Sequence, residues 1–490
     1  MTGVVEAAKA LMAQGRAQEA AAVLAVETAS EDAGYLALAY HAEALKSLGN
    51  LEDATQMAER ALKANPNSVS ARHNLASLYG DLERKRDSER LARSALEIGD
   101  APETWVVLAR ALQGQNRFDE AEGAYMAAVQ RRANYAEALA DLTQLIWMRT
   151  EDASFATRAL DTAIAAHPQD VQLRVRKARF LQYAGQAKAG YDALTAGPLN
   201  PVGELTAAQL ILSDDAEQAL THVQRVAALA PEAAPVRLSL TECFLALDRP
   251  REALVQIEAM RRAAPDDQLV IALQATAWRM AGDARYHTLY DYDGLVRPAQ
   301  IDTPPGWVDL NAYLAELAAA LEALHGLKTH PVGQSLRGGS QTTTSLTRSE
   351  NPAIQAFFQA IDGPIRRYLG AVGSGNDPLR SRNTGDYRIE GCWSVRLRPN
   401  GFHTDHVHPR GWLSSACYIQ VPKAVKTGGR EGWIKFGEPG TPTGTPLSAE
   451  RYIEPVIGRL VLFPSYMWHG TAPFSGDDHR MTIAFDVVPA

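Results

Sequence analysis

Four side chains able to hold a metal crowd into positions 403–408: His403, Asp405, His406 and His408. A fifth, His469, follows the run Gly458-Arg-Leu-Val-Leu-Phe-Pro464, and Arg480 lies eleven residues beyond it. Residues i and i+2 of a strand share a face. The cluster therefore offers two ligand pairs, His403 with Asp405 or His406 with His408. The run before His469 reads as a buried strand ending in a turn, which delivers that histidine at the strand's mouth. Two ligands from one strand and one from another fill three adjacent positions around a cation and leave three open. Non-haem iron(II) needs that geometry to bind a bidentate co-substrate and oxygen together. Arg480, heading the last strand candidate, could clamp a distal carboxylate through two parallel N–H bonds, with Thr482 on the same face. Ser394 could hydrogen-bond the same co-substrate or face the core. Arg337 could reach the site mouth or cap a helix. Trp412, Trp433 and Trp468 read as core or pocket walls, with Trp468 also able to flank a peptide. His325 and His479 read as solvent-facing or capping residues.

The elements that must position these groups begin near residue 285. Arg285–Asp293 is aromatic and strand-like, and Pro304-Pro-Gly306 breaks it off. Asp309 opens an amphipathic helix running to His325, with a carboxylate suited to its N-cap. Gln334–Thr342 reads as a polar glycine loop. Ile354, Phe357, Phe358, Ile361 and Ile365 keep the helical spacing of a second helix over 352–369. Strand candidates follow at 392–397, 413–421, 433–436, 458–463 and 480–488, rich in Val, Ile and aromatics and separated by Gly/Pro turns. No helical pattern separates them, so an antiparallel jelly roll is expected rather than a parallel sheet.

The preceding chain is Ala/Leu-rich and periodic. Gly15 and Gly49, Ala20 and Ala54, Ala219 and Ala253, and Pro231 and Pro265 are each 34 apart. Within a unit, alanines recur at a spacing of seven (Ala54/Ala61, Ala121/Ala128, Ala156/Ala163), and a proline stands twelve beyond the first (Pro66, Pro168). Small residues let two antiparallel helices approach closely, and the proline cannot continue the second. This pattern resembles the tetratricopeptide repeat, with residues 140–215 matching least well. Such arrays stack into a superhelix whose concave face commonly holds an extended peptide.

Composition sets the outer limits. With 490 residues, 46% hydrophobic and 22% charged, the chain reads as multidomain and globular. A net charge of −8 argues against nucleic acid or an anionic membrane as partner. No apolar run approaches a membrane span, and the N-terminus lacks a secretory pattern. Cys243, Cys392 and Cys417 are odd in number and widely spaced, so a disulfide framework is not expected and the cytoplasm is.

Over about residues 285–490 the chain resembles the 2-oxoglutarate/Fe(II)-dependent oxygenases. The segments that carry the resemblance are Gln334-Ser-Leu-Arg-Gly-Gly-Ser-Gln-Thr342, His406-Val-His-Pro-Arg-Gly-Trp-Leu-Ser414, Phe463-Pro-Ser-Tyr-Met-Trp-His469 and Arg480-Met-Thr-Ile-Ala-Phe485. They look like a bacterial branch often fused to tetratricopeptide repeats and similar in layout to the aspartyl/asparaginyl β-hydroxylases. The resemblance implies a double-stranded β-helix (jelly roll) with flanking helices at 285–490, after an α-solenoid of repeats at 1–284. It implies Fe(II), O2 and 2-oxoglutarate as co-substrate, His469 as distal iron ligand and Arg480 on the C5 carboxylate. The wider superfamily's His-x-Asp would be His403-Thr-Asp405; the branch's His-x-His-Pro favours His406 and His408 as ligands. Hydroxylation of a protein or peptide held by the repeats is the expected activity. A small-molecule hydroxylase and a non-catalytic scaffold with a structural metal are the alternatives.

Overall fold

A computed structural model describes residues 2–426 and 429–490; Thr427 and Gly428 lie outside the described residues. Contacts divide the chain into two compact units, Met1–Ile146 and Trp147–Ala490. The helix Ala136–Thr150 runs across the division.

The first unit is a run of antiparallel helical hairpins, beginning Thr2–Ala13, Ala17–Thr28, Tyr35–Ser47 and Leu51–Ala64. The periodic alanines are its crossing points: Ala20, Ala54, Ala61, Ala121 and Ala128 are no more than 2% exposed. Gly15 and Gly49 follow helix ends at φ +74° and +80°, a left-handed conformation that costs glycine little.

The second unit opens with more hairpins, from Val171–Tyr183 through Gln268–Met280. Arg285–Asp293, expected as a strand, instead gives two short helices, Tyr286–Leu289 and Tyr292–Leu295. Its tyrosines pack into a buried cluster rather than a ladder: Tyr286 stacks on Tyr290 at 5.0 Å, and Tyr290 lies 5.9 Å from Tyr292.

Among the described residues nine strands follow: β1 (Arg297–Gln300), β2 (Leu336–Gln341), β3 (Tyr387–His403), β4 (Leu413–Gln420), β5 (Ile434–Phe436), β6 (Arg451–Ile453), β7 (Arg459–Pro464), β8 (His469–Thr471) and β9 (Arg480–Pro489). They form two sheets, β1-β7-β4-β9-β3-β2 and β6-β5-β8, and every paired strand is antiparallel. Between the sheets Phe436 meets Phe463 edge-on at 5.0 Å.

The polar glycine segment is β2, an edge strand, and not a loop. Gly339 permits the pairing, since a Cβ there would fall 2.4 Å from the Arg396 carbonyl oxygen. Strand β9 shows how the sheet sorts its side chains. Met481, Ile483, Phe485 and Val487 are fully buried, and Phe485 meets Phe357 of the helix Pro352–Val372 at 6.0 Å. Arg480, Thr482, Ala484 and Asp486 face the opposite way, into a cavity.

The three cysteines are buried and unpaired. Among the described residues, no helix is long and apolar enough to cross a membrane.

Candidate functional site

The cavity encloses about 520 Å³ and takes its walls from β2 and the residues just before it, β3, β4, β5, β8, β9, the chain between β3 and β4, and Tyr183. That size lies in the range that holds small-molecule ligands.

His406, His408 and His469 converge on it, each offering a ring nitrogen, and the three atoms lie within 4.8 Å of one another. His469 heads β8, and an isolated antiparallel bridge ties it to His406: His406 N donates to His469 O at 2.9 Å, and His469 N to His406 O at 3.1 Å. His406 and His408 were expected within a strand; β3 ends at His403, and the two lie on the irregular chain beyond it. Their rings nevertheless face each other, Nε2 to Nε2 at 3.2 Å. Gly470 makes the approach possible, because a Cβ there would sit 2.9 Å from the His403 carbonyl oxygen and 2.6 Å from Asp405 Oδ1.

Each ring is oriented from behind. Nδ1 of His406 bonds the Thr404 carbonyl at 2.8 Å, Nδ1 of His469 the Met467 carbonyl at 2.9 Å, and Nδ1 of His408 the Asp486 carboxylate at 2.6 Å. A carbonyl or carboxylate only accepts, so Nδ1 carries the proton and Nε2 keeps its lone pair toward the cavity. Ligand histidines in metal sites are held by such partners. Burial pushes His406 down to about 3, helped by His408, and pushes His469 well below the ordinary imidazole range. The rings of His406 and His469 are therefore neutral, as ligation requires.

His403 and Asp405 do not join this group. His403 lines the cavity with Nδ1 at 3.0 Å from Ser335 Oγ. Asp405 turns away to Lys435, whose Nζ donates to it at 2.8 Å and also pairs with Glu438.

Arg480 reaches the cavity from β9 and is 3% exposed. Its guanidinium lies over the Tyr418 ring at 5.0 Å, and its Nε and Nη1 are buried without a hydrogen-bond partner among the described residues. Burial pushes it below the usual guanidinium value. Uncompensated buried N–H groups on a cation are costly unless an anion meets them. Thr482, also buried, lines the same wall.

Ser394 is not among the lining residues. It lies between Trp393 and Val395, which do line the cavity, so it faces the other side of β3. There its Oγ meets Nε2 of His325 at 3.0 Å. His325 is accordingly a buried residue, not a capping one, with Nδ1 on Ser340 Oγ at 2.9 Å. Half-exposed His479 bonds Gln420 through Nε2 at 2.8 Å. Trp468 is committed to the core, its indole N–H donating to Thr276 Oγ1 at 2.9 Å. Asp486, Ser335 and Tyr183, to which the sequence alone assigns no role, also line the cavity.

Residues 391–486 match the family described as "Putative 2OG-Fe(II) oxygenase", and residues 102–143 and 210–277 match tetratricopeptide repeat families. A search of curated proteins finds no match to the chain. Solved structures similar to it include a tetratricopeptide repeat protein from Parabacteroides merdae (15% identity, 50% of this chain and 98% of that one, TM-score 0.33). Others are MamA from Desulfovibrio magneticus (15%, 34% and 96%, TM-score 0.31) and Pseudomonas aeruginosa pilF (17%, 42% and 96%, TM-score 0.30). Likenesses at these scores carry nothing about function. The chain is a fusion of tetratricopeptide repeats with a C-terminal domain that matches the 2OG-Fe(II) oxygenase family.

Proposed function

We propose that the protein is a cytoplasmic 2-oxoglutarate- and Fe(II)-dependent dioxygenase that hydroxylates a protein or peptide side chain. In this reading residues 1–284 present the substrate on the concave face of the repeats and residues 285–490 perform the chemistry. Neither nucleic acid nor a membrane takes part.

One observation carries the reading. Three inward-facing imidazole nitrogens share a cavity with a buried guanidinium whose N–H groups are unspent among the described residues. The donor set suits iron(II), and the guanidinium suits one end of a dicarboxylate. Iron(II) held by His406, His408 and His469 would supply the redox chemistry that couples loss of CO2 from 2-oxoglutarate to oxygen insertion. One oxygen atom of O2 ends in succinate and the other in the substrate's new hydroxyl.

The chain's own groups have separable roles. Three neutral ligands leave the full +2 charge on the metal, which strengthens its hold on a dianion. Asp486, bonded to His408, returns one negative charge at a distance and fixes that ring's tautomer. Arg480 binds the C5 carboxylate, with the Thr482 hydroxyl beside it. Trp393, Val395, Val407 and Ile434 form apolar walls that limit water.

Succinate formation tests this directly. Full-length protein given Fe(II), 2-oxoglutarate and O2 should release succinate, and His469→Ala should abolish the release. Unchanged release in that variant excludes His469 as a ligand. Protein that holds zinc and makes no succinate with any added metal would favour the structural-metal alternative.

A further inference from the structure

Arg480 is not the only guanidinium in the cavity. Arg337 and Arg410 also line it, and Asp486 is the one carboxylate among the described residues that line it. Asp486 is already engaged by His408 and by the Ser414 hydroxyl at 2.8 Å. A metal and a dianion would leave this wall positive.

Arg337 is the better placed of the two remaining cations, since Arg410 is exposed at the rim. It sits on edge strand β2, separated from Arg480 on β9 by β3, so the two backbones are about 10 Å apart across the sheet. Its Nη1 donates to the Gln334 and Leu336 carbonyls, both at 2.8 Å, which fixes the direction of the fork. Nε and Nη2 bond nothing among the described residues, and no carboxylate pairs with the group. Burial pushes the guanidinium below its ordinary value. Beside it the Tyr183 side chain lines the same cavity, its hydroxyl also without a partner among the described residues. Tyr183 is the last residue of the repeat helix Val171–Tyr183. A repeat helix and a strand of the sheet domain thus offer unspent donors to one space.

We infer that Arg337 and Tyr183 form a second anion site in the cavity, which binds a carboxylate of the primary substrate while the co-substrate occupies Arg480. The pair of free nitrogens on one guanidinium edge matches the two oxygens of a carboxylate, and the phenol O–H adds a third donor. A carboxylate accepts that set without reaching the metal. This inference rests on the oxygenase reading of the site.

Calorimetry on full-length protein holding Zn(II) and saturating 2-oxoglutarate tests it. The probes are capped alanine pentapeptides with a central Glu, Asp, Gln or Asn, and the N-acetyl amides of the same four amino acids. The wild type should bind acids at least about tenfold tighter than their amides, as a charge-assisted pair requires. Arg337→Gln should erase that preference and leave 2-oxoglutarate affinity unchanged. Tyr183→Phe, on a different element, should reduce the preference about two- to fivefold. Tighter binding of the pentapeptides than of the amides assigns the carboxylate to a peptide, and equal binding assigns it to a small acid. Equal affinity for acids and amides, or an acid preference that survives Arg337→Gln, overturns the second site. So does a loss of 2-oxoglutarate affinity in Arg337→Gln, which would make Arg337 part of the co-substrate's own site. Failure of the wild type to bind 2-oxoglutarate sinks the oxygenase reading instead, a separate result.

Discussion

Asp486 Oδ1 accepts a 2.6 Å hydrogen bond from Nδ1 of His408, joining the face of β9 that carries Arg480 to the histidine cluster. Asp486→Asn keeps the shape and removes the charge. Its amide can also turn an N–H toward Nδ1, which reverses the ring's tautomer. Metal affinity should fall about 10- to 100-fold, read by competition of Co(II) against a chelating dye. An unchanged affinity would mean that the carboxylate does not support the site.

Arg480 predicts opposite effects on stability and binding. Replacing an uncompensated buried cation with an apolar side chain of similar length removes a desolvation cost. Arg480→Met should stabilise the protein without co-substrate by on the order of 1–3 kcal/mol. The same variant should lose the upward shift in melting temperature that 2-oxoglutarate gives the metal-loaded wild type. Scanning calorimetry with and without 2-oxoglutarate reads both, and a destabilised variant that still binds would reverse the assignment.

The repeats of the second unit hold the site's scaffold. Trp468, next to His469, bonds Thr276 in the helix Gln268–Met280, and Arg279 of that helix donates to the carbonyls of Gly437 (2.8 Å) and Ser448 (2.9 Å). Thr276→Val leaves the indole N–H unsatisfied and should cost about 1–3 kcal/mol. A chain starting at Tyr135, just ahead of the helix Ala136–Thr150, should keep metal binding. One starting at residue 281 should not fold. Circular dichroism and metal titration on both truncations distinguish the cases; a folded, metal-binding chain from 281 onward contradicts this role.

Acid should unfold the protein partly through His325. Burial pushes its imidazole down to about 4, against an ordinary 6.5, with Arg396 adding to the effect. The unfolded chain then binds the proton more readily than the folded one. Stability contributed by the neutral ring is complete above about pH 6.5 and is lost as pH falls toward 4. The loss is on the order of 2–3 kcal/mol at about 1.36 kcal/mol per unit. Denaturation of metal-free protein between pH 4 and 7 should show a shallower decline in His325→Gln than in wild type. Parallel declines would exclude this histidine as a contributor.

The 34-residue alanine and proline spacing marks helical hairpins because each small residue stands at a helix crossing. The alternation Arg480, Thr482, Ala484, Asp486 could have drawn attention to Asp486, which shares the face assigned to Arg480. Its partner His408 lies 78 residues earlier, and no local pattern links them. Ser394 needed the register of β3 as well as its period, since a one-residue shift exchanges the two faces. The β2 segment read as a loop because glycine and polar residues disfavour strands; its edge position and the close approach at Gly339 admit them. The tyrosines at 286–292 suggested a strand by propensity alone, and burial in a tertiary cluster overrode it. Tyr183 could not be found from sequence, because a poorly matching repeat gives no sign of which side chain meets a distant sheet.

The ligand set itself is tested most directly by anaerobic titration of Fe(II) and then 2-oxoglutarate into the full-length protein, following the visible metal-to-ligand charge-transfer band. The band should form in the wild type and in Asp405→Asn and His403→Ala, and should be lost in His406→Ala, His408→Ala and His469→Ala. A band that persists in His408→Ala but vanishes in Asp405→Asn would contradict the three-histidine site.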